Sequence, residues 1–249
     1  MGQVLAVVSG KGGTGKTSLC AGVACALAQA GQRVLCLDLD VGLRNLDLAL
    51  GLADEPSLCF TDVMDGQYLL SWATEHPDLP TLHFLTAPVT RTPEELDEET
   101  FGRFLEQVRQ EYDWCILDAP AGVGAGFRLA VRWAELAMVV SGGEPAALRD
   151  GARTADMIEQ YSQAETKLVV NRIRLRFFQK NKLTVDDCMD TVGLPLLGIV
   201  PEDEAVAMAV AKGKALLLVS KSKHGAAAAC RHIARRLMGE KQPLLQIEK

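Results

Sequence analysis

Residues 9–17 read Ser-Gly-Lys-Gly-Gly-Thr-Gly-Lys-Thr, and this stretch decides the fold of the chain. It follows the apolar run Val4–Val8 and precedes a helical pattern from Ser18 to Gln29. A strand, a glycine-rich loop and a helix start, in this order, are typical of a loop that cradles phosphate groups. The glycines let several backbone N–H groups point at one anion, and the helix N-terminus adds partial positive charge. We call residues 9–17 the phosphate loop.

The side chains of the phosphate loop predict its chemistry. Lys16 is predicted to reach the β- and γ-phosphates of a nucleotide, and the Thr17 hydroxyl is predicted to ligate Mg²⁺. The alternative is a glycine-rich turn with a chance lysine, which is disfavoured because the loop lies where a strand passes to a helix. The predicted nucleotide contacts are Gly10, Lys11, Gly12, Gly13, Thr14, Gly15, Lys16, Thr17 and Ser18.

Composition limits the class of protein. The chain has 249 residues, 48% of them hydrophobic, so we expect a single domain over residues 1–249 with one sizeable core. The longest apolar runs have the length of strands, and the first residues lead straight into one, so we expect neither a transmembrane helix nor a secretion signal. Seven cysteines lie apart without a C-x-x-C pair, which is typical of reduced thiols in a cytoplasmic protein.

Charge is distributed unevenly along the chain. The net charge is −6, yet residues 205–239 contain seven basic side chains and no acidic one. This pattern fits a solvated helix face, and it also fits a face that meets an anionic surface.

Strands and helices alternate along the chain. Apolar runs predict strands at Val4–Val8, Val34–Leu37, Leu82–Leu85, Trp114–Asp118, Leu136–Val140, Lys167–Val170 and Leu196–Val200. Helical patterns lie at Lys16–Gln29, Pro145–Tyr161, Val185–Val192, Val206–Lys212 and Lys223–Met238. A further helical region covers residues 92–112 with a break near Asp97, and residues 53–80 are irregular apart from a helical piece at 58–64. The predicted fold class is α/β, a doubly wound, mostly parallel sheet with helices on both faces.

Carboxylates stand at the ends of two predicted strands. Asp38 and Asp40 follow the strand that begins at Val34, and Asp118 ends the strand that begins at Trp114. Because the carboxyl ends of parallel strands form the binding edge of an open α/β sheet, these groups are expected there. Asp38 and Asp118 therefore join Thr17 as predicted Mg²⁺ residues, acting through the water shell of the ion. Asp40 is the candidate to position the attacking water, with a capping carboxylate as the alternative.

The second lysine of the phosphate loop, Lys11, carries a family resemblance. The run Lys-Gly-Gly-Thr-Gly-Lys-Thr at residues 11–17 resembles the deviant Walker A sequence of the MinD/ParA family of dimerising ATPases. The resemblance implies a P-loop NTPase fold, ATP or ADP with Mg²⁺ as cofactors, and a homodimer that forms with ATP. It also implies that Lys11 reaches across this dimer to the nucleotide of the other subunit. The alternative is that Lys11 is a solvated loop lysine.

Further motifs extend the resemblance over nearly the whole chain. Residues 37–48, Leu-Asp-Leu-Asp-Val-Gly-Leu-Arg-Asn-Leu-Asp-Leu, resemble switch I of the MinD branch, and residues 118–122 resemble switch II. Residues 170–172 and 199–203 resemble the adenine-binding segments. The resemblance therefore implies catalytic roles for Lys11, Lys16, Asp40 and Asn45. For Asn45, the alternative to a catalytic role is that of a helix cap. The base contacts it implies are Asn171, Arg172, Pro201, Glu202 and Asp203.

The function implied is a spatial regulator of division-site placement that is switched by hydrolysis of ATP to ADP and phosphate. The resemblance in switch I favours the MinD branch over ParA-type DNA-segregation ATPases and flagellar-number regulators, which remain the alternatives. The implied partners are proteins of the MinC and MinE type. Nucleic acid is disfavoured by the acidity of the chain, although residues 171–180 interleave basic and aromatic residues, a weak nucleic-acid signal. In the family, the part of this segment after Arg172 is a surface loop. An electron-transfer protein is disfavoured by the scattered cysteines.

Two segments depart from the family pattern. Gly142-Gly143-Glu144-Pro145 stands in place of the usual Thr-x-Pro-Glu run, so we carry no partner contact over to these residues. The MinD branch ends in a basic amphipathic helix, whereas residues 239–249 contain a proline, balanced charges and three aliphatic side chains, Leu244, Leu245 and Ile247. We expect this stretch to bind anionic membranes poorly. Peripheral association with the inner face of the cell membrane then requires a tail beyond these residues.

Overall fold

Eight strands and eleven α-helices form the part of the chain that the computed structural model describes, residues 1–41, 43–89 and 91–247. The strands are β1 (Gln3–Val8), β2 (Val34–Asp38), β3 (Thr74–His76), β4 (Leu79–Leu85), β5 (Trp114–Asp118), β6 (Leu136–Ser141), β7 (Glu165–Ile173) and β8 (Leu196–Pro201). The helices are α1 (Lys16–Gln29), α2 (Leu46–Leu50), α3 (Phe60–Met64), α4 (Glu98–Glu111), α5 (Ala125–Arg132), α6 (Pro145–Tyr161), α7 (Leu175–Asn181), α8 (Val185–Val192), α9 (Glu204–Ala211), α10 (Leu216–Val219) and α11 (Ala226–Leu237).

The strands form one twisted sheet in the order β3-β4-β2-β5-β1-β6-β7-β8. All neighbouring pairs are parallel except β3 and β4, which are antiparallel. β5 lies between β1 and β2, and its last residue, Asp118, is in register with Val7 on one side and Asp38 on the other. The predicted doubly wound, mostly parallel α/β sheet is confirmed, and its ligand crevice is expected at the carboxyl ends of these three strands.

Each face of the sheet has its own hydrophobic core. Along β5 the side chains alternate between the two cores, so that Ile116 packs with α1 and α11 on one face. Leu117 packs with α4 and α5 on the other face. Both side chains are fully buried, because helices cover a central parallel strand on both faces. Such a strand appears in the sequence as a continuous apolar run.

Several predicted elements have the bounds that the sequence indicated, namely α1, α6, α8 and β5. The predicted break in residues 92–112 is also confirmed. A 3₁₀ turn covers Pro93–Glu95, and α4 begins after Asp97, whose side chain accepts a hydrogen bond from the backbone N–H of Thr100 at 2.7 Å. This side-chain cap satisfies a free N–H group at the start of α4.

Two predictions of irregular chain are wrong, and one helix was not predicted. Residues 53–80 contain a 3₁₀ turn at Leu70–Trp72 and the strand β3. The surface loop expected after Arg172 contains α7, which buries Phe178. The helix that was not predicted is α5, which follows the turn at Gly122. These elements are short, and short helices depend on tertiary packing for most of their stability.

The stretch after α11 packs on the protein surface in extended form. Leu245 is buried, while Leu244 remains 42% exposed. The Arg236 guanidinium donates hydrogen bonds to the carbonyl oxygen of Gln242 at 2.9 and 2.6 Å and to that of Leu197 at 2.9 Å. Gly42 of the switch I motif and the final residues Glu248 and Lys249 lie outside the described residues. Every helix in the described parts of the chain is too short or too polar to cross a lipid bilayer.

We expect Leu117→Ala to lower the free energy of unfolding by about 2–5 kcal/mol, because it removes buried methyl groups from the central strand. Urea denaturation followed by circular dichroism measures the change, with an unaltered m value. The matched control is Leu69→Ala, since Leu69 is 64% exposed, and its effect should stay within about 0.5 kcal/mol. Equal losses in the two variants would contradict the assigned core.

Candidate functional site

The phosphate loop forms an open cradle at the start of α1. Gly13 and Gly15 have backbone φ angles of 78° and 82°, which a residue with a side chain rarely adopts. A Cβ atom placed on Gly12 or Gly13 would meet nothing within 4 Å. The Thr14 hydroxyl is buried and has no hydrogen-bond partner among the described residues. An open loop with a buried polar atom left unpaired is what a site for a polar ligand requires.

The end of β7 holds the phosphate loop in place. The Asn171 side-chain amide donates a hydrogen bond to the Thr14 carbonyl at 2.7 Å, and the Arg172 guanidinium donates one to the Gly13 carbonyl at 3.1 Å. Because the C=O and N–H groups of one planar peptide point in opposite directions, these contacts turn the N–H groups of Thr14 and Gly15 away from β7. Those N–H groups are therefore oriented for an anion and not for the protein.

Lys16 forms a buried ion pair with Asp118. The Lys16 Nζ lies 2.5 Å from an Asp118 carboxylate oxygen, and the two side chains are 7% and 1% exposed. The same Nζ lies 3.5 Å from the Thr17 hydroxyl. Burial raises the pKa of Asp118 above its ordinary value, although the charge of Lys16 opposes that rise. The predicted phosphate lysine and the predicted metal carboxylate thus meet at one point.

Asp38 lies beside Asp118 and shapes the segment that follows it. Its two carboxylate oxygens accept hydrogen bonds from the backbone N–H of Asp40 at 2.9 Å and of Leu46 at 3.2 Å. Burial, and to a smaller degree the neighbouring Asp118, raise the pKa of Asp38 to about 7. A cation near this pair of carboxylates would relieve their repulsion.

The oxygen atoms at this edge suit Mg²⁺. Thr17 supplies a hydroxyl, and Asp38 and Asp118 supply carboxylates, which are the ligand types that Mg²⁺ prefers. Among the described residues no group of three or more His, Cys, Asp or Glu side chains is arranged to hold a metal by itself.

Asp40 and Asn45 lie in the switch I segment without firm partners. Asp40 is half-buried, and its carboxylate accepts one hydrogen bond from the Leu43 N–H at 3.3 Å, so its capping and water-positioning interpretations both remain. Asn45 immediately precedes α2, but its side chain makes no capping hydrogen bond. Asp38 caps this helix instead, so the helix-cap interpretation of Asn45 is wrong.

Arg44 was missed by the sequence analysis. Its backbone has a φ of 48°, and its Nε and Nη2 atoms donate hydrogen bonds to the Thr86 hydroxyl at 3.1 and 2.9 Å. Thr86 follows β4, so Arg44 ties the switch I segment to the neighbouring strand. No local pattern in the sequence could have indicated a partner 42 residues away.

Lys11 is held by an exposed ion pair with α6. Its Nζ lies 3.7 Å from an Asp150 carboxylate oxygen, and both side chains are roughly half exposed, at 45% and 44%. An exposed pair of this kind contributes about 0–1 kcal/mol. Lys11 can therefore leave Asp150 for another anion at little cost.

A cavity of about 520 Å³ opens beside the phosphate loop. It is of the size that small-molecule sites usually have. Its walls include Gly15 of the phosphate loop and Ser18 of α1. They also include all five residues predicted to contact the base, namely Asn171, Arg172, Pro201, Glu202 and Asp203. The apolar walls Val206, Leu216 and Cys230 were not predicted, because they come from later helices that only the fold brings here.

The five predicted base residues also bond to one another and to the backbone. Glu202 pairs with Arg172 at 3.0 Å. The Asp203 carboxylate accepts hydrogen bonds from the N–H of Ala205 and of Ala226, both at 2.9 Å. Asp203 therefore holds the starts of α9 and α11 in place beside the cavity.

Ion pairs connect the unusual 142–145 run to this cavity. Arg174 lies 2.9 Å from Glu144 and 3.7 Å from Glu202. A Cβ atom on Gly143 would lie 2.4 Å from the Phe178 ring. The glycine is required at this position because α7 places that ring directly against the backbone.

The chain resembles known nucleotide-binding proteins over most of its length. A family model described as the CobQ/CobB/MinD/ParA nucleotide binding domain matches residues 5–217. The septum site-determining protein MinD of Synechocystis sp. is 37% identical over 248 residues, which cover 98% of this chain and 92% of the relative.

The chain also resembles solved structures of MinD proteins. The MinC:MinD cell division protein complex of Aquifex aeolicus superposes with a TM-score of 0.88 and 33% identity, covering 98% of this chain and 99% of the matched chain. MinD complexed with Mg-ADP from Pyrococcus horikoshii OT3 superposes with a TM-score of 0.81 and 26% identity, covering 95% and 96%.

We expect Lys16→Ala to weaken the binding of Mg-ADP at least about a hundredfold, because the phosphates lose a buried cation and its charge-assisted hydrogen bonds. Isothermal titration calorimetry measures the affinity. The matched control is Lys180→Ala, which removes an exposed lysine outside the phosphate loop and should change the ADP affinity by no more than about twofold. Tight binding of ADP by Lys16→Ala would refute the phosphate-loop assignment.

Proposed function

The chain belongs to the CobQ/CobB/MinD/ParA nucleotide-binding family, and on that premise we propose that it is an ATP-hydrolysing, dimerising regulator of division-site placement of the MinD type. The observation that carries the proposal is the similarity to a septum site-determining protein over 98% of this chain, within which every motif of the candidate site lies. The resemblance in switch I supports the same branch of the family.

ATP binding uses groups that the structure already orients. The free N–H groups of the phosphate loop and Lys16 hold the phosphates, and the cavity between Asn171 and Pro201 holds the base. Lys16 must leave Asp118 to reach the β- and γ-phosphates. The Thr17 hydroxyl, Asp38 and Asp118 are the residues that would hold Mg²⁺. When bound, this ion neutralises the phosphate charge that develops during hydrolysis.

Hydrolysis then depends on the position of one water molecule. Asp40 follows β2 at the carboxyl edge of the sheet, and its backbone N–H is held by Asp38. Its carboxylate has one long hydrogen bond, to Leu43, so it retains acceptor capacity for a water. Phosphoryl transfer needs positioning more than covalent chemistry, so a carboxylate that orients water is sufficient.

The exposure of Lys11 supports a homodimer. A lysine that is held only by an exposed ion pair with Asp150 can contact a nucleotide in a second subunit. The dimer then forms with ATP, because the phosphates supply the anion for Lys11 of the opposite subunit. Proteins of the MinC type are the proposed partners, since a related chain is found in a MinC:MinD complex.

A DNA-segregation role finds less support in the basic stretch 205–239. Three of its cations are used within the protein: Arg231 donates to the Ser220 carbonyl, Arg235 pairs with Glu240, and Arg236 holds the 239–247 stretch. Lys214 pairs with Asp78 at 3.6 Å. DNA binding depends on many contacts between cations and phosphates, and four of the seven cations in this stretch already have partners within the protein.

We expect Asp40→Ala to bind Mg-ATP with unchanged affinity and to hydrolyse it at least about a hundredfold more slowly, because the attacking water loses its acceptor. A phosphate-release assay under saturating ATP measures turnover, and calorimetry measures binding. Asp47→Ala is the matched control, since it removes a half-buried carboxylate from the same segment. Parent-like turnover in Asp40→Ala would exclude Asp40 from handling the water.

We also expect an ATP-dependent homodimer that is lost in Lys11→Ala. The Asp40→Ala background keeps ATP intact, so sedimentation velocity can compare Asp40→Ala with Asp40→Ala/Lys11→Ala under saturating nucleotide. Lys180→Ala replaces an exposed lysine of α7 and serves as the control on the same background. A monomer with ATP in the Asp40→Ala protein, or a dimer that survives the loss of Lys11, would count against this part of the proposal.

A further inference from the structure

A cluster of exposed apolar side chains lies between α3 and β3, outside the candidate nucleotide site. Trp72 is 60% exposed, Leu69 is 64% exposed and Tyr68 is 40% exposed. The rings of Tyr68 and Trp72 lie 5.8 Å apart at an interplanar angle of 52°. We call these three side chains the aromatic platform.

The aromatic platform is held by buried neighbours. Leu70 and Ala73 alternate with the exposed residues and are 1% and 6% exposed. Both belong to the core on the α4 side of the sheet, and a 3₁₀ turn covers Leu70–Trp72. The exposure of Trp72 therefore comes from an ordered backbone. Large side chains exposed together on such a backbone mark an interaction surface, and Trp and Tyr are the types that dominate binding energy at such surfaces.

Acidic residues surround the aromatic platform. Residues 53–80 contain six acidic side chains and no lysine or arginine. The Asp62 carbonyl accepts the N–H of Tyr68 at 3.3 Å, which places Asp62 next to the platform, and Glu75 follows Trp72 by three residues. Asp65 pairs with Arg91 at 2.6 Å, and Asp62 also interacts electrostatically with this arginine. Glu75 forms no ion pair with any described residue. With three acidic side chains and one basic one, the rim of the platform carries net negative charge.

This charge selects the occupant. A negative rim attracts cations, and the faces of Trp72 and Tyr68 bind a guanidinium or ammonium group further. It repels an anionic membrane. It also disfavours a symmetric contact with a second copy, because a two-fold axis would bring the same acidic rim against itself.

We propose that the aromatic platform docks a cationic segment of a partner protein, one that carries aliphatic anchors between arginine or lysine residues. The proposal does not rest on the proposed ATPase function.

One residue, Thr86, forms hydrogen bonds both with α3, which precedes the platform, and with the switch I segment. The Phe60 N–H at the start of α3 donates to the Thr86 carbonyl at 3.0 Å, and the Thr86 hydroxyl accepts from Arg44. A partner on the platform is thus seated on a segment whose hydrogen bonds continue to the edge that bears the nucleotide residues.

The test uses three synthetic peptides with the full chain. The first has leucine at helical spacing with arginine elsewhere, the second replaces arginine with glutamate, and the third replaces leucine with serine. Fluorescence anisotropy of the labelled peptides measures affinity. Acrylamide quenching of tryptophan locates the contact, because Trp72 is far more exposed than Trp114, which is 5% exposed. The arginine–leucine peptide alone should bind well, and it should shield tryptophan from acrylamide.

The variants decide whether the aromatic platform is the site. Trp72→Ala should lower the affinity for the arginine–leucine peptide at least about tenfold, because it removes an aromatic anchor. Leu244→Ala, an exposed apolar residue elsewhere, should leave its affinity unchanged. Glu75→Gln should weaken binding and reduce its salt dependence. Thermal unfolding of each variant should match the parent, which shows that the fold is intact.

Four results with the peptides and vesicles would overturn the proposal, and so would one concerning self-association. They are failure of the arginine–leucine peptide to bind at millimolar concentration, equal binding of the glutamate peptide, parent-like affinity of Trp72→Ala, and tryptophan shielding by vesicles of anionic lipid. Self-association that Trp72→Ala abolishes would also overturn it, because the occupant would then be a second copy.

Discussion

The buried ion pair of Lys16 and Asp118 is the contact on which the rest of the site depends. The parallel register of β1, β5 and β2 places the carboxylate of Asp118 beside that of Asp38. Two buried carboxylates repel each other, and leaving one without its cation typically costs about 3–5 kcal/mol. Lys16 supplies the cation from the first turn of α1. A nucleotide that attracts Lys16 must therefore arrive with a replacement cation, and the residues proposed to hold Mg²⁺ lie at the same edge.

The end of β7 combines two tasks that ligand binding requires. Asn171 and Arg172 orient the phosphate loop through its carbonyl groups and also line the neighbouring cavity, in which we propose that the base binds. Arg172 adopts a left-handed backbone conformation with a φ of 57°, and its N–H donates to the Asn171 side-chain oxygen at 2.9 Å. A strained residue persists where surrounding contacts determine it. One rigid strand end thus fixes the distance between the phosphate and base positions.

The sequence predicted the sheet well because its strands are continuous apolar runs and its main helices carry clear starts. It failed for α5, α7 and β3. β3 exists because it pairs with β4, and α7 places Phe178 under Gly143, which only a glycine permits. The helix-cap interpretation of Asn45 failed for a similar reason, since the side chain of Asn45 makes no capping hydrogen bond and Asp38, a residue distant in the sequence, accepts the first N–H of α2.

The local pattern by itself determined that this protein binds a nucleotide: the strand, glycines, Lys16 and Thr17 are adjacent in the chain, and adjacency alone builds the phosphate loop. It also determined which strands end in carboxylates. The tertiary structure decided which of these groups meet. Lys16 finds Asp118 at a separation of 102 residues because β5 inserts between β1 and β2. Packing likewise decided the ion pair of Lys11 with Asp150, the hydrogen bonds of Arg44 to Thr86 and the burial of Leu245 against the core. Contacts between distant segments of this kind leave no periodicity in the sequence.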